Sequence, residues 1–250
     1  MVEMLPTLIN GTWEILLPEH RAARTEWRWW ERARLASMYR NLRRGDVLID
    51  VGSEEGDMSA LFARWLEPGG VVLIEPNPKV WPNIRAIWEA NDLPRPLGWF
   101  VGFAGHETNL TPLRSDVDAM PNNGWPNCAY GDLIGDHGFR GYRDERGRTP
   151  TTRLDDLTEA LRLKPDAITM DVEGAEWAVL EGADRLLREV RPMVWISIHP
   201  SFLRDTYAMN RCDVLRFMEE RGYDGYPIAT DHEEHWAFSH PEARPIRQAG

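Results

Sequence analysis

Four polar residues each follow an apolar run of the sequence, and their types suit ligand binding and proton transfer. Asp50, Glu75, Asp171 and His199 stand at or directly after runs rich in β-branched residues and leucine. Runs without polar alternation are typical of strands that are buried on both faces. In an open parallel sheet, ligands bind beyond the carboxyl ends of the strands. We therefore predict that these side chains lie along one rim of a sheet.

The loop after the first of these runs has an unusual spacing. Asp50 is followed by Gly52 and Gly56, with Glu54 and Glu55 inside the loop. A dinucleotide fingerprint reads G-x-G-x-x-G and lets a pyrophosphate approach the helix N-terminus. Two loop carboxylates would repel a diphosphate, whereas an acid at the strand end suits an ammonium or sulfonium group. S-adenosylmethionine carries both.

A second acid supports the same ligand. Glu75 ends the next apolar run, and its carboxylate can accept two hydrogen bonds from a ribose diol. An acid about 20 residues after a glycine loop has this role in nucleotide-binding folds. An ordinary turn with a solvated acid is the alternative interpretation of Asp50 or Glu75 alone.

The composition restricts the class of protein. The chain has 250 residues, 42% of them hydrophobic, which is enough for one large α/β domain or two small ones. The net charge of −11 argues against a nucleic-acid partner. Cys128 and Cys212 form neither a disulfide framework nor a metal spacing, so we expect a cytoplasmic protein. We expect no membrane span and no signal peptide.

Apolar runs alternate with segments of helical periodicity, which predicts a mostly parallel sheet of seven strands. The last two strands, 223–228 and 234–239, are joined by about five residues and should form an antiparallel edge hairpin. The pattern predicts a helix over about 19–44. We divide the chain into an N-terminal arm and helix that pack on the core (1–45) and the main domain (46–250).

Two aromatic-rich regions are candidates for contact with a substrate. Residues 104–150 contain recurring glycines, aromatics and arginines, and we interpret them as an acceptor-covering insertion, with a plain surface insertion as the alternative. Trp27, Trp29 and Trp30 are too close in sequence to face one side. We expect two to pack on the sheet and one to be partly exposed, with a wall of the acceptor site as the alternative.

The chain resembles the FkbM-type methyltransferases over roughly residues 46–240. The resemblance is carried by four stretches: Ile49-Asp50-Val51-Gly52 through Gly56, Ile74-Glu75-Pro76-Asn77-Pro78, Thr152-Arg153-Leu154-Asp155-Asp156-Leu157, and Met170 to Glu176 with Val179 to Ala183 after it. It implies an α/β, Rossmann-like class I methyltransferase fold that uses S-adenosylmethionine. It also implies methylation of a hydroxyl group on a saccharide or glycosylated small molecule.

The resemblance implies seven cofactor-binding residues: Asp50, Gly52, Ser53, Gly56, Glu75, Asn77 and Ala104. The glycine loop should shape the methionine side of the pocket, and Glu75 should hold the ribose hydroxyls. Ser53 is expected to donate to the cofactor carboxylate from the helix N-terminus. Asn77 and Ala104 should lie near the adenosine.

Methyl transfer to a hydroxyl requires alignment of the acceptor and removal of its proton, by a base or with the help of a metal. We predict Asp171, His199 and Glu173 as catalytic residues. Asp171 and His199 can act as a base with its orienting partner, or share a divalent cation such as Mg²⁺. The alternatives are that Asp171 only caps a helix, that His199 is structural, and that Glu176 only interacts with the helix dipole.

Three further expectations concern partners and competing functions. The run 231–235 has the residue types of a metal site, but we predict a solvated hairpin turn. The expected partner is a small-molecule or glycan acceptor, with homo-oligomer formation as a further expectation. Two functions remain as alternatives: a non-catalytic module that binds S-adenosylmethionine, and a nicotinamide-dependent oxidoreductase on the same topology.

Overall fold

The computed structural model describes residues 3–109 and 150–248. Its first elements are an antiparallel hairpin of β1 (Met4–Ile9) and β2 (Trp13–Pro18), a short helix α1 (Glu19–Ala22), a 3₁₀ turn (Thr25–Arg28) and the helix α2 (Arg32–Asn41). The predicted continuous helix over 19–44 is therefore wrong.

Two backbone breaks divide that segment. Arg24 is extended, with ψ of 127°, and Glu31 has a left-handed conformation with φ of 40°. The breaks allow Trp27 to enter the core and Arg34 to reach the rim of the sheet, where both are buried. Tertiary packing has overridden a helical periodicity that was locally acceptable.

The remaining elements alternate between strands and helices. In chain order they are β3 (Val47–Val51), α3 (Asp57–Leu66), β4 (Gly70–Ile74), α4 (Trp81–Ala90), β5 (Gly98–Phe100), β6 (Phe103–Ala104), β7 (Thr151–Thr152), α5 (Leu154–Leu161), β8 (Ala167–Asp171), α6 (Glu176–Glu181), α7 (Asp184–Glu189), β9 (Met193–Ile198), α8 (Pro200–Tyr207), α9 (Arg211–Glu219), β10 (Asp224–Thr230) and β11 (Glu234–Ser239).

The central sheet has seven strands in the order β10-β11-β9-β8-β3-β4-β5. The five strands from β9 to β5 are parallel, and β11 pairs antiparallel with both β9 and β10. The predicted α/β, Rossmann-like fold with an antiparallel edge hairpin is confirmed. The predicted strand 97–103 is divided, because β6 leaves this sheet and pairs with β7.

The hydrophobic core is continuous from the sheet into the N-terminal elements. All five residues of β4 are buried, as expected for a strand between two helical layers. Ile9, Leu17, Leu35 and Met38 belong to the same cluster of buried side chains, so β1, β2 and α2 share the core of the sheet.

Two further expectations concern the insertion over 104–150 and a membrane span. Most of the predicted insertion 104–150 lies outside the described residues. Within the part of the chain that is described, no helix combines the length and apolar character needed to cross a membrane.

Candidate active site

The carboxyl ends of the parallel strands open into a cavity of about 850 Å³. Seven of the predicted site residues line it: Asp50, Gly52, Ser53, Glu75, Ala104, Asp171 and Glu173. The other three, Gly56, Asn77 and His199, are not among the lining residues. We call the part around Asp50, Gly52 and Glu75 the glycine-loop end. The acidic cluster, at β8 and β9, consists of Glu31, Asp171, Glu173, Glu176 and Glu233 around His199.

Glycine is required at two positions of the loop. Gly52 has φ of 84°, and a Cβ there would stand 1.9 Å from the carbonyl oxygen of Asp171. Gly56 has φ of 85°, and a Cβ there would lie 3.1 Å from Ile84. The first glycine therefore lets the ends of β3 and β8 approach each other, and the second lets α3 pack closely against α4.

Asp50 is buried at the end of β3. Its Oδ2 accepts a hydrogen bond from the Ser59 hydroxyl, and burial raises its pKa to about 6 despite that bond. The Ser53 hydroxyl donates to the Asp50 carbonyl oxygen at 3.1 Å. The expected bond from Ser53 to a cofactor carboxylate stays a prediction.

Glu75 is held by main-chain groups. Its two carboxylate oxygens accept hydrogen bonds from the backbone N–H of Asn77 at 2.7 Å and of Glu54 at 2.9 Å. Burial raises its pKa to about 8, against the effect of these bonds. Each oxygen keeps a second acceptor site, so the carboxylate can still receive a vicinal diol.

The loop carboxylates are paired with the N-terminal segment. Arg21 donates to both oxygens of Glu54, at 3.0 and 2.9 Å, and also to Asp57. His20 lies 2.8 Å from Glu55. Their negative charge is therefore partly balanced, so these carboxylates would repel a diphosphate less strongly than the sequence suggests. The glycine spacing still differs from the dinucleotide fingerprint.

His199 is the centre of the acidic cluster. Its Nδ1 lies 2.6 Å from Glu176, and its Nε2 lies 2.6 Å from Glu233 and 3.5 Å from Asp171. Burial lowers the pKa of this imidazole, but the bonds to the two glutamates and the charge of Asp171 together raise it to about 10. His199 is therefore an imidazolium at neutral pH.

Two interpretations made from the sequence are wrong at this cluster. Glu176 is completely buried and binds His199, so it does more than interact with a helix dipole. The run 231–235 is not simply solvated, because Glu233 and His235 are buried while His232 is exposed. The pairing of β11 beside β9 folds this turn over the end of β9, and no local pattern indicates that long-range contact.

Asp171 faces the cavity with its side chain 27% exposed. Burial raises its pKa well above the ordinary value, while the charges of Arg34 and His199 act in the opposite direction. Helix α6 has Ala175 at its N-cap and no side-chain cap, so Asp171 does not cap it. The alternative that Asp171 only caps a helix is therefore wrong.

The structure also brings in two residues that the sequence analysis missed. Glu31 and Arg34 are buried, form an ion pair, and reach the acidic cluster from α2. Their i, i+3 spacing on a helix was the available signal, but such pairs are usually solvated.

Aromatic side chains form one wall of the cavity. Trp27 is buried and Trp30 is partly buried, and both line the cavity, whereas Trp29 is 59% exposed. The guanidinium of Arg24 lies 5.1 Å from the ring centroid of Trp27 and 4.7 Å from that of Trp30. Of these three tryptophans, Trp29 is the exposed one, and the other two line the cavity.

The chain matches a known protein family over most of its length. The Methyltransferase FkbM domain matches residues 50–224, from the first site acid to the start of β10. The chain belongs to the FkbM methyltransferase family. The N-terminal elements that complete the cavity lie before the matched range. No curated protein sequence matches the chain significantly.

Several solved structures resemble the chain at low sequence identity. The FkbM methyltransferase of Methylobacillus flagellatus KT is 16% identical, with a TM-score of 0.51 over 78% of this chain and 44% of that one. This chain thus spans less than half of that protein. A candidate rRNA methylase from Clostridium thermocellum has 10% identity and a TM-score of 0.49, over 84% of this chain and 93% of that one. TYW2 of M. jannaschii in complex with AdoMet has 11% identity and a TM-score of 0.41, over 91% of this chain and 82% of that one.

Proposed function

We propose that the protein is an S-adenosylmethionine-dependent O-methyltransferase that acts on a hydroxyl group of a saccharide or glycosylated small molecule. The observation that supports this most directly is the position of Asp171. It lies in the same cavity as Asp50 and Glu75, on the neighbouring strand, within the FkbM-matched residues.

The glycine-loop end fits the cofactor chemically. Asp50 offers a carboxylate to an ammonium group, and Glu75 offers two oxygens to the ribose diol. A cavity of about 850 Å³ is within the range of roughly 300–1,000 Å³ typical of sites for small molecules and cofactors. When bound, S-adenosylmethionine supplies a methyl group on a sulfonium sulfur. Asn77 and Ala104 are placed beside the adenosine in this proposal.

Asp171 acts as the base in the proposed reaction. With the cofactor held by Asp50 and Glu75, Asp171 would accept the proton that the acceptor hydroxyl loses as it is methylated. Its raised pKa makes the carboxylate a better proton acceptor than an ordinary aspartate. His199 is protonated and therefore serves as the cation that orients Asp171, while Glu173 lies at the rim of the cavity.

The aromatic wall supports a ring-shaped acceptor. Trp27 and Trp30 offer flat apolar side chains beside the acidic cluster, and Arg24, whose guanidinium lies over their rings, adds a donor. In this proposal, residues 104–150 cover the acceptor from the other side. The acidic net charge supports a small-molecule or glycan acceptor over a nucleic acid.

A magnesium-dependent form of the reaction uses the same residues. Ligand atoms of Asp171, Glu173 and His199 lie within 4.8 Å of one another. In that form a divalent cation would polarise the acceptor hydroxyl. The metal-free form is favoured, because the His199 imidazolium and Arg34 already supply positive charge there.

Other parts of the proposal concern the setting of the enzyme. We propose a cytoplasmic location, in keeping with two cysteines that form no framework, and a homo-oligomer as the assembly. A non-catalytic module that binds the cofactor and a nicotinamide-dependent oxidoreductase are the competing functions.

Calorimetry separates these possibilities. We expect stoichiometric micromolar binding of S-adenosylhomocysteine and none of NADH. Binding of NADH alone, or of neither compound, would refute the cofactor assignment. Magnesium should leave the titration unchanged, and a magnesium-dependent affinity would instead make Asp171 and His199 metal ligands.

Turnover requires a second assay. Methyl-labelled S-adenosylmethionine is incubated with panels of saccharides and glycosides, and label is counted in the products. Asp171→Asn should bind S-adenosylhomocysteine normally but transfer no label. A wild-type protein that binds the product and labels no acceptor in the panels would favour the non-catalytic module.

A further inference from the structure

Arg34 is a buried cation at the edge of the acidic cluster. Its side chain is 5% exposed, although it comes from helix α2, outside the FkbM-matched residues. Its Nη2 donates to the Thr169 hydroxyl at 2.5 Å, and its Nη1 lies 3.8 Å from Asp171. The guanidinium thus contacts two residues of β8, i and i+2, whose side chains lie on the same face of the strand.

Glu31 fixes the other side of that guanidinium. Its carboxylate accepts a hydrogen bond from Arg34 and is itself buried. Its backbone is left-handed, with φ of 40°, a conformation that is unfavourable for a residue other than glycine. Such strain persists only where the surroundings impose it. Here it places the carboxylate against Arg34 immediately before α2 begins.

We propose that Arg34 is a positioning residue for Asp171: its guanidinium orients that carboxylate toward the cavity, and Glu31 fixes the guanidinium. The inference rests on the proposed role of Asp171 as the base. It assigns part of the reaction geometry to the N-terminal segment.

The charges around Asp171 explain why a second cation is needed. The charged groups that face it from the packed elements are Glu31, Arg34, Glu173, His199 and Glu233. Three are acids, and each disfavours an ionised Asp171. His199 shares its positive charge with Glu176 and Glu233. Arg34 is therefore the second cation, and it comes to Asp171 from the N-terminal segment.

A matched set of variants isolates this effect. Arg34→Met alone would leave Glu31 buried without a partner and endanger folding. The reference is therefore Glu31→Gln, and the test protein carries Glu31→Gln together with Arg34→Met. Thr169→Val is the control, because it removes one hydrogen bond of Arg34 but keeps every charge.

The measurement is a carboxyl-carbon NMR titration with ¹³C-labelled aspartate, in which Asp171→Asn identifies the Asp171 resonance. Removing the cation should raise the Asp171 titration midpoint by about 1–3 pH units relative to Glu31→Gln, since an opposite charge at this range has that effect. Thr169→Val should change the midpoint little. Equal midpoints in the reference and the test protein would overturn the proposal.

A second variant covers a failure to fold. Arg34→Lys in the Glu31→Gln background keeps the charge but loses the planar fork, so we expect a smaller upward shift. An unchanged midpoint in this variant would also overturn the proposal. Calorimetry with S-adenosylhomocysteine on the same proteins distinguishes a failure of the proposed function from a failure of this inference. If the wild type does not bind it, the proposed function fails, while the NMR midpoint still decides whether Arg34 acts on Asp171.

Discussion

The two ends of the cavity bind their charged groups in different ways. At the glycine-loop end, Asp50 and Glu75 are each held by a nearby hydroxyl or main-chain N–H group. At the acidic cluster, His199 contacts carboxylates from the end of β8, from α6 and from the β10–β11 turn. One end is built by local backbone geometry, and the other by charged side chains from distant segments.

The difference teaches where each end is vulnerable. A group that is held by the backbone loses little else when it is replaced, so its substitution should affect ligand binding more than folding. A group inside a buried charge network leaves an uncompensated partner when it is replaced, and this is costly. The predictions below test this contrast.

The largest effect is expected for Glu176→Leu. The change removes the partner of His199 Nδ1 and the acceptor of the Gly174 N–H. Breaking a buried pair costs about 3–5 kcal/mol, and we expect a loss of that size in denaturant unfolding. Exposed Glu181, on the same helix, is the control, and Glu181→Ala should change stability by less than about 0.5 kcal/mol. A loss below about 1 kcal/mol for Glu176→Leu would show that the cluster is not a coupled network.

At the other end, Glu75→Ala should act on the ligand. Losing two hydrogen bonds to the ribose hydroxyls should weaken binding of S-adenosylhomocysteine by about 1–3 kcal/mol while the fold persists. Calorimetry measures the affinity, and circular dichroism checks the fold. Glu89→Ala, at an exposed position of α4, is the matched control. Unchanged affinity in Glu75→Ala would place the ribose elsewhere.

The two ends should also be separable by pH. The pKa of Glu75 is raised to about 8, and that of His199 to about 10. Both groups bind protons more tightly in the folded state, so each contributes stability that is complete below its unfolded pKa and is lost as pH rises through its folded pKa. The loss from Glu75 falls between about pH 4.5 and 8 and that from His199 between about 6.5 and 10.

Variants assign each window. Glu75→Gln should abolish the decrease in unfolding free energy over the lower pH window, and His199→Gln the decrease over the upper window. Each abolished decrease should amount to at least about 1.4 kcal/mol, the equivalent of one pKa unit. Exposed His106→Gln serves as the control for histidine substitution. If His199→Gln left the upper window intact, His199 would not be the imidazolium that the geometry indicates.

The same contrast explains what the sequence could predict. Asp50, Gly52 and Glu75 lie within 26 residues, and strand and loop periodicity placed all three correctly at the cavity. The sheet topology was equally accessible, because alternating apolar runs and helices permit few arrangements. These features depend on local pattern and on general rules for chain connection.

The acidic cluster was only partly accessible. Asp171 and His199 could be predicted because they end adjacent strands. Glu233 and Glu31 could not, because each reaches the site through a long-range contact between segments that look solvated in sequence. The division of the predicted helix 19–44 has the same cause, since Trp27 and Arg34 are buried by packing that periodicity does not describe.

The smallest effect, expected for Ser59→Ala, tests the contrast from the opposite direction. Ser59 is completely buried and donates to Asp50, yet both partners belong to the contiguous β3–α3 unit. Its removal should cost about 1 kcal/mol in denaturant unfolding and raise the pKa of Asp50 further, because a bond to the charged form is lost. Exposed Ser201→Ala, on α8, should be neutral. A cost as large as that of Glu176→Leu would mean that Asp50 is also part of a coupled charge network. Arg34 would then be the group that joins the two ends, because its charge acts on both Asp50 and Asp171.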